Sequence, residues 1–281
     1  MSELFNEGNL NQIIEEVVDE CRHENGIVNL IIRDDVFKIL ERNCIVVYYP
    51  LKEEDINGFH VERHINGERK HFVYLNTWNT TERQIFTAAH ELGHIWGVYG
   101  KVKEKNPKID EYITSVSGKS PEEYIVGKFA AQLLMPESLF VKEMNAFLTS
   151  LNYNGKTISA INLLRLIASL MNVFFVGYKA TTLRLLEIGK LSPPVYDYIM
   201  RYEHTGLFKQ ILKEGDYKRL NQRLENRNIV NASNASISNI FELINNAERS
   251  DCALYNTVEF FKNEFDISSP NLNDVDNEVD F

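Results

Sequence analysis

The chain has little that would tie it to an oxidising or membranous setting. Three cysteines are spread over 281 residues: Cys21, Cys44 and Cys252, in no paired spacing. That pattern suits a reducing compartment and offers no cysteine metal cluster. Positive charge is also scarce, with 30 Lys and Arg against 40 Asp and Glu, a net charge of -10. A nucleic-acid surface needs a concentrated basic face to hold phosphates, and no such run is present, so no direct nucleic-acid binding is expected. The most apolar long window, 160–178, is interrupted by Asn162, Arg165 and Asn172. It is too polar to cross a bilayer, and no membrane association is expected. The first residues, Met1-Ser2-Glu3-Leu4-Phe5-Asn6-Glu7, lack the basic-then-apolar order of a signal peptide. No internal repeat is found. Together these absences predict a soluble cytoplasmic protein, long enough for one large domain or two modest ones.

What is present centres on Thr87-Ala88-Ala89-His90-Glu91-Leu92-Gly93-His94-Ile95-Trp96. This stretch carries the pattern H-E-x-x-H inside an amphipathic helix. At about 100° per residue, His90 and His94 stand about 40° apart, one turn above one another. Glu91 lies at the edge of the same arc, while Ile85, Ala88, Ala89, Leu92, Ile95 and Trp96 fill the other side. One face packs and the other presents two imidazoles and a carboxylate. Zinc requires such an arrangement: neutral imidazoles at fixed spacing, with a base beside its open coordination position. A solvated helix face carrying two histidines by chance is the simpler account, but the clean separation of the two arcs weighs against it.

The flanking elements follow from local pattern. Residues 9–24 repeat apolar pairs at helical spacing, and Asp34 to Glu41 reads as a short second helix. Cys44 to Tyr49 is β-branched and aromatic and ends at Pro50, which marks a strand. Phe59 to Ile65, Asn66-Gly67 and Glu68 to Leu75 form a hairpin, because Asn-Gly suits a type I′ turn. His60, His64 and His71 are expected as exposed strand residues on it. Asn79 with Glu82, or Thr81 with Gln84, would cap the motif helix, and Gly97 and Gly100 would stop it. Lys101 to Lys119, rich in lysine and broken by Pro107 and Gly118, reads as a loop on the rim of the site. Ser120-Pro121 starts a strong helix whose stripe is Ile125, Val126, Phe129, Ala130, Leu133 and Leu134, closed by Met135-Pro136. Ile158 to Gly189 reads as helix, bend and helix. Short helical patterns continue from Pro193 to Glu264. Residues 266–281 hold five acids and no base and are expected to be disordered.

Two histidines do not complete a catalytic zinc site, which needs a third protein ligand. The helix at 120–135 offers Glu122 and Glu123. Ser120 and Glu123 would form a capping box unaided, and either carboxylate is favoured by the helix dipole. Glu122 sits nearer the centre of the apolar stripe and Glu123 at its margin, where a cleft-facing ligand belongs. Local physics therefore leans to Glu123 and leaves Glu122 open.

Gln84-Ile85-Phe86-Thr87-Ala88-Ala89-His90-Glu91-Leu92-Gly93-His94, followed by Glu123-Tyr124-Ile125-Val126-Gly127-Lys128-Phe129-Ala130-Ala131-Gln132-Leu133-Leu134-Met135-Pro136, resembles the ImmA/IrrE metallo-endopeptidases. That family joins the zincin helix to a helix of the form E-x-x-A-N-x-F-A-A-x-L-L-M-P. In register, the resemblance places the third ligand on Glu123; Val126 and Gly127 depart from the usual Ala and Asn. The hairpin from Gly58 to Asn76 also fits the family's strands. Leu163 to Gly189 is similar to its trailing helix-turn-helix-like segment. Lys179 and Arg184 are nearly the only cations of that segment's second helix, so it reads as packing rather than DNA binding.

The resemblance implies an α+β fold: a zincin-like metallopeptidase domain, made of a small twisted sheet and an active-site helix, and then a helical C-terminal region. The domains are expected at 1–140 (metallopeptidase), 141–192 (the helix-turn-helix-like segment packed on it), 193–265 (helical, with no assigned role) and 266–281 (acidic tail). The implied activity is zinc-dependent endopeptidase, with Zn2+ on His90, His94 and Glu123 and with Glu91 as the base. The substrate class it implies is an intracellular regulatory protein, especially a helix-turn-helix transcriptional repressor. A zinc-bearing binding module that relieves a repressor by sequestration is the alternative. Tyr99, Tyr112, Tyr124 and the hairpin histidines are unranked candidates for steadying the oxyanion. An open edge on the strand from Phe59 to Ile65 would take an extended substrate as an added strand, with Val61 or Arg63 as the position whose N–H points outward.

Overall fold

The computed structural model describes residues 6–28, 31–52, 56–65, 67–118, 120–153, 157–215, 217 and 220. The expected acidic tail and the helical patterns beyond 220 lie outside these residues. All the described elements belong to one compact unit, Met1–Arg227, which contains the expected boundaries at 140 and 192. The chain is α+β, with a small sheet set among helices.

Helices α1 (Glu7–Glu24) and α2 (Asp35–Asn43) precede β1 (Ile45–Tyr49), β2 (Gly58–Ile65) and β3 (Glu68–Asn76). The sheet order is β1-β3-β2, with β1 parallel and β2 antiparallel to β3. Ile65 pairs with Glu68 and His60 with Val73, so the hairpin closes through two residues. Gly67 takes φ 81, the positive value that the Asn-Gly signal anticipates. Side chains of paired residues share a sheet face, which puts His60, Glu62, His71, Val73 and Leu75 on the same side. That side is met by α3 (Thr81–Ile95), the motif helix; a Cβ on Gly58 would lie 2.7 Å from Thr87 Cγ2.

The cap of α3 falls at neither expected residue, Asn79 or Thr81. Its N-cap is Thr80, with no side-chain bond to the helix. Gln84 Nε2 donates instead to the Asn79 carbonyl, and Asn79 Nδ2 to Asn57 Oδ1. The helix start is tied to the loop before β2 rather than to its own turn. Gly97, left-handed at φ 63, ends the helix run at Trp96 as expected, whereas Gly100, the other expected stop, lies inside the next helix, Val98–Lys105.

The stretch expected as a rim loop is helical. α4 (Val98–Lys105) and α5 (Ile109–Ser117) bury Val98, Val102, Ile109 and Ile113, each pair four residues apart, and turn their lysines outward. α6 (Pro121–Leu134) follows, with the predicted apolar stripe fully buried. α1 braces α6 from behind. Lys128 Nζ reaches Glu7 and Glu187, Gln132 Nε2 donates to the Asn11 carbonyl, and Arg22 Nη1 donates to the Leu133 carbonyl.

The approach of α3 to α6 fixes the distance between the histidines and Glu123. It depends on Gly93, where an added Cβ would lie 2.7 Å from Val126 Cγ1 and 3.2 Å from Phe129 Cδ1. Gly93→Ala should therefore force the helices apart and cost about 1–3 kcal/mol in stability, although alanine favours the helix itself. Affinity for a metal ion held between the histidines and Glu123 should fall with it. Unchanged melting and metal affinity in that variant would show that the contact does not set the spacing.

Beyond α6 come α7 (Glu137–Ser150), α8 (Ala160–Phe174), α9 (Tyr178–Glu187), α10 (Pro193–Met200) and α11 (Gly206–Glu214). α7, which no sequence signal marked, has Pro136 as its N-cap and buries Phe140 and Met144. The expected bend lies at Phe175, left-handed at φ 55, and α8 and α9 meet at 105°. Arg184 of α9 is 2% exposed and donates through Nε to the Met135 carbonyl, so this cation serves internal packing. Among the described residues no single helix is long and apolar enough to cross a membrane.

Candidate metal centre

Three side chains converge where the exposed ends of α3 and α6 meet. His90 Nε2 and His94 Nε2 stand 3.2 Å apart. Glu123 Oε2 lies 3.2 Å from His90 Nε2, and its Oε1 lies 3.3 Å from His94 Nε2. A tetrahedral zinc with bonds of about 2.0–2.1 Å separates its donors by about 3.3 Å, so this triangle has the size the ion needs. Nitrogen and carboxylate donors suit zinc as well. His90, His94 and Glu123 can therefore hold a metal ion, and the Glu123 side chain is 57% exposed.

Local structure shows why Glu123 is free for this task. Ser120 caps α6 by position, but no side-chain capping bond forms. The carboxylate that could have closed a capping box is turned to the two imidazoles instead. Hydrogen bonds with His90 and His94 hold it well below the usual carboxylate range, against the effect of its burial. Burial pulls His94 down, but hydrogen bonds to Glu123 and Glu122 and the charge of Glu91 raise it to about 9.

Glu122 is present too, on the opposite nitrogen. Its Oε1 lies 3.0 Å from His94 Nδ1. The two neighbouring glutamates, rivals for one role in the sequence, thus take the two ends of one imidazole. A carboxylate on Nδ1 holds the ring in the tautomer that leaves Nε2 free for a metal.

Glu91 is 5% exposed and within electrostatic reach of His90, His94 and Glu123. Burial raises it to about 6, offset in part by His90 and His94. Cys44, in its electrostatic reach, is pushed up to about 12 by burial and by Glu91 and Glu41, which makes it an inert thiol.

Of the expected oxyanion donors, the three tyrosines are engaged elsewhere. Tyr99 donates to Asp110, and Tyr112 and Tyr124 donate to Glu7. The hairpin histidines divide. His64 is exposed as expected, but His60 and His71 are half-buried and face α3. His60 Nε2 lies 2.8 Å from His71 Nδ1, and the His60 ring stacks on His94 at 6.3 Å between centroids, 22° from parallel. Burial, with His71 and His94 close by, pushes His60 down to about 4, and burial lowers His71. The alternation of the strand held this signal: His60 shares a sheet face with His71 once the hairpin register is set.

A family model described as Peptidase M78, the IrrE N-terminal-like domain, matches residues 41–186, just over half of the chain. No curated protein matches the chain significantly in sequence. Among solved structures, a Mycobacterium tuberculosis transcriptional regulator is similar at 14% identity and a TM-score of 0.39. That likeness covers 63% of this chain and 50% of the other, so the chain spans about half the length of the protein it matches.

Proposed function

The chain belongs to the Peptidase M78 family, and on that premise we propose that it is a zinc endopeptidase that cuts an intracellular regulatory protein, a helix-turn-helix repressor being the class the resemblance favours. His90, His94 and Glu123 would hold the ion. Once bound, zinc would acidify a water toward neutrality and polarise the scissile carbonyl. Glu91 accepts the proton of the attacking water and delivers it to the leaving amine. Glu122 keeps His94 in register.

Glu91 carries this reading over mere binding. A structural zinc site needs no carboxylate beside its ligands, yet this one is 5% exposed, on the helix of both histidines, and raised to about 6. Burying such a group without a task would only destabilise the fold. The test is mass spectrometry of candidate regulators incubated with the zinc-loaded full chain. New termini that vanish with a chelator and return with zinc support the proposal. A regulator captured intact, with no new termini, would favour the sequestration alternative.

The sheet supplies a second, independent expectation about how substrate is held. Among the described residues β2 is an edge strand. In a two-residue hairpin the flanking pair, Ile65 and Glu68, exchanges main-chain bonds, and pairs then alternate along the ladder. Asn76 N–H donating to the Asn57 carbonyl fits the same phase at the far end. Val61 and Arg63 therefore both point their N–H toward β3, contrary to the expectation that one faces outward. His60, Glu62 and His64 hold the outward N–H groups. Glu62→Pro should remove an outward donor, weaken substrate binding by about tenfold and leave zinc in place. Wild-type KM in a folded, zinc-loaded Glu62→Pro protein would show that the substrate docks elsewhere.

A further inference from the structure

We propose that His60 donates, through Nδ1–H, the hydrogen bond that steadies negative charge on an oxygen held at the metal centre, and that His71 positions it. In the reaction that oxygen is the scissile carbonyl's, so this role deepens the peptidase reading and rests on it.

Peptide hydrolysis at a metal needs a donor aimed where the carbonyl oxygen gains charge, and such a donor contributes about 10²–10³ in kcat. Among the described residues the obvious donors are committed. The three tyrosines serve Glu7 and Asp110, Lys128 serves Glu7 and Glu187, and Arg69 serves Glu62. His60 remains, on the sheet face that meets α3, with its ring stacked on His94.

The contact with His71 decides which nitrogen is available. His60 Nε2 and His71 Nδ1 are 2.8 Å apart, so one of them carries the shared proton. If His71 supplies it, neutral His60 keeps its own proton on Nδ1, the nitrogen not occupied by His71. His71 then fixes both the tautomer and the tilt of the donor. The edge geometry agrees with this assignment. The main-chain N–H of His60 faces outward, where a peptide would add to β2, while its side chain faces the metal ligands. The simpler account is that the two rings only fill the sheet face. In that case any side chain of similar bulk would serve.

The test uses the full chain loaded with cobalt in place of zinc and titrated with inorganic phosphate, a tetrahedral anion, with the visible spectrum of the metal as readout. His60→Ala should keep its cobalt and weaken phosphate binding at least about tenfold, the loss of a charge-assisted hydrogen bond. His60→Asn, whose amide N–H stands near the place of Nδ1, should recover most of the affinity, and His60→Gln should not. His71→Ala should show a smaller loss, and His71→Asn should repair it. Phosphate affinity unchanged in His60→Ala would overturn the assignment. Cobalt lost equally from His60→Ala and His60→Asn, or no phosphate binding by the wild type, would also overturn it. Glu91→Gln separates the two readings. It should abolish cleavage and leave the His60 effect on phosphate intact. If the wild type cleaves nothing while that effect persists, the peptidase reading fails and the donor stands.

Discussion

Glu91→Gln should retain full zinc and lose cleavage, with kcat down by at least about 10²–10⁴. The amide has nearly the shape of the carboxylate, so the packing around this buried position survives while the proposed base is removed. It cannot accept the proton of the attacking water. Zinc affinity should hold because Glu91 is absent from the triangle of donor atoms formed by His90, His94 and Glu123. His94 should still keep its carboxylate partners, Glu123 on Nε2 and Glu122 on Nδ1. The measurement pairs metal analysis with turnover on a substrate cut by the wild type. Retained turnover would remove Glu91 as the base, and lost zinc would make it a structural support of the site. Neither result is expected from a side chain whose chief perturbation is burial.

The parts of the site legible in the sequence were those set by one helix at a time. His90, Glu91 and His94 share an arc because helical spacing dictates it, and α6 was bounded by Ser120-Pro121 and Met135-Pro136. The parts that were not legible depend on elements meeting. α4 and α5 were hidden because lysines, Pro107 and Gly118 signal a loop locally. Val98, Val102, Ile109 and Ile113 gain their burial only against other helices, where α4 meets α1 and α6 and α5 meets α6. His60 and His71 required the register of β2 on β3, since a slip of one residue would put the two rings on opposite faces. On α6 the expected capping box gives way to distant partners, because the Glu123 carboxylate turns to the imidazoles of α3, while the start of α3 is tied through Asn79 to the loop before β2. Glu122 escaped because sequence reasoning offered one role to two neighbours, and only the geometry reveals that His94 has two nitrogens to fill.

That division of labour sets the last expected result. On the proposed assignment Glu123→Gln removes a ligand, whereas Glu122→Gln frees only the far nitrogen of His94. Loss of such an orienting carboxylate typically costs about 10–100-fold in metal affinity. Loss of one of three protein ligands should cost at least about tenfold more. Each variant deletes one charge near the same helix start, a shared cost of about 0.3–1 kcal/mol, so stability does not confuse the comparison. A proton count adds a second readout. In the metal-free protein His94 is raised to about 9, so at neutral pH it carries a proton that metal must displace. Zinc uptake by the wild type should therefore release a proton, and affinity should weaken as pH falls. Glu123 is the foremost of the groups that raise His94, so Glu123→Gln should release distinctly less. Calorimetry in two buffers of different ionisation enthalpy reads that number directly, beside chelator competition for the affinities. Equal affinities in the two variants would refute the assignment of Glu123. The reverse order, with proton release lost in Glu122→Gln alone, would transfer the ligand role to Glu122.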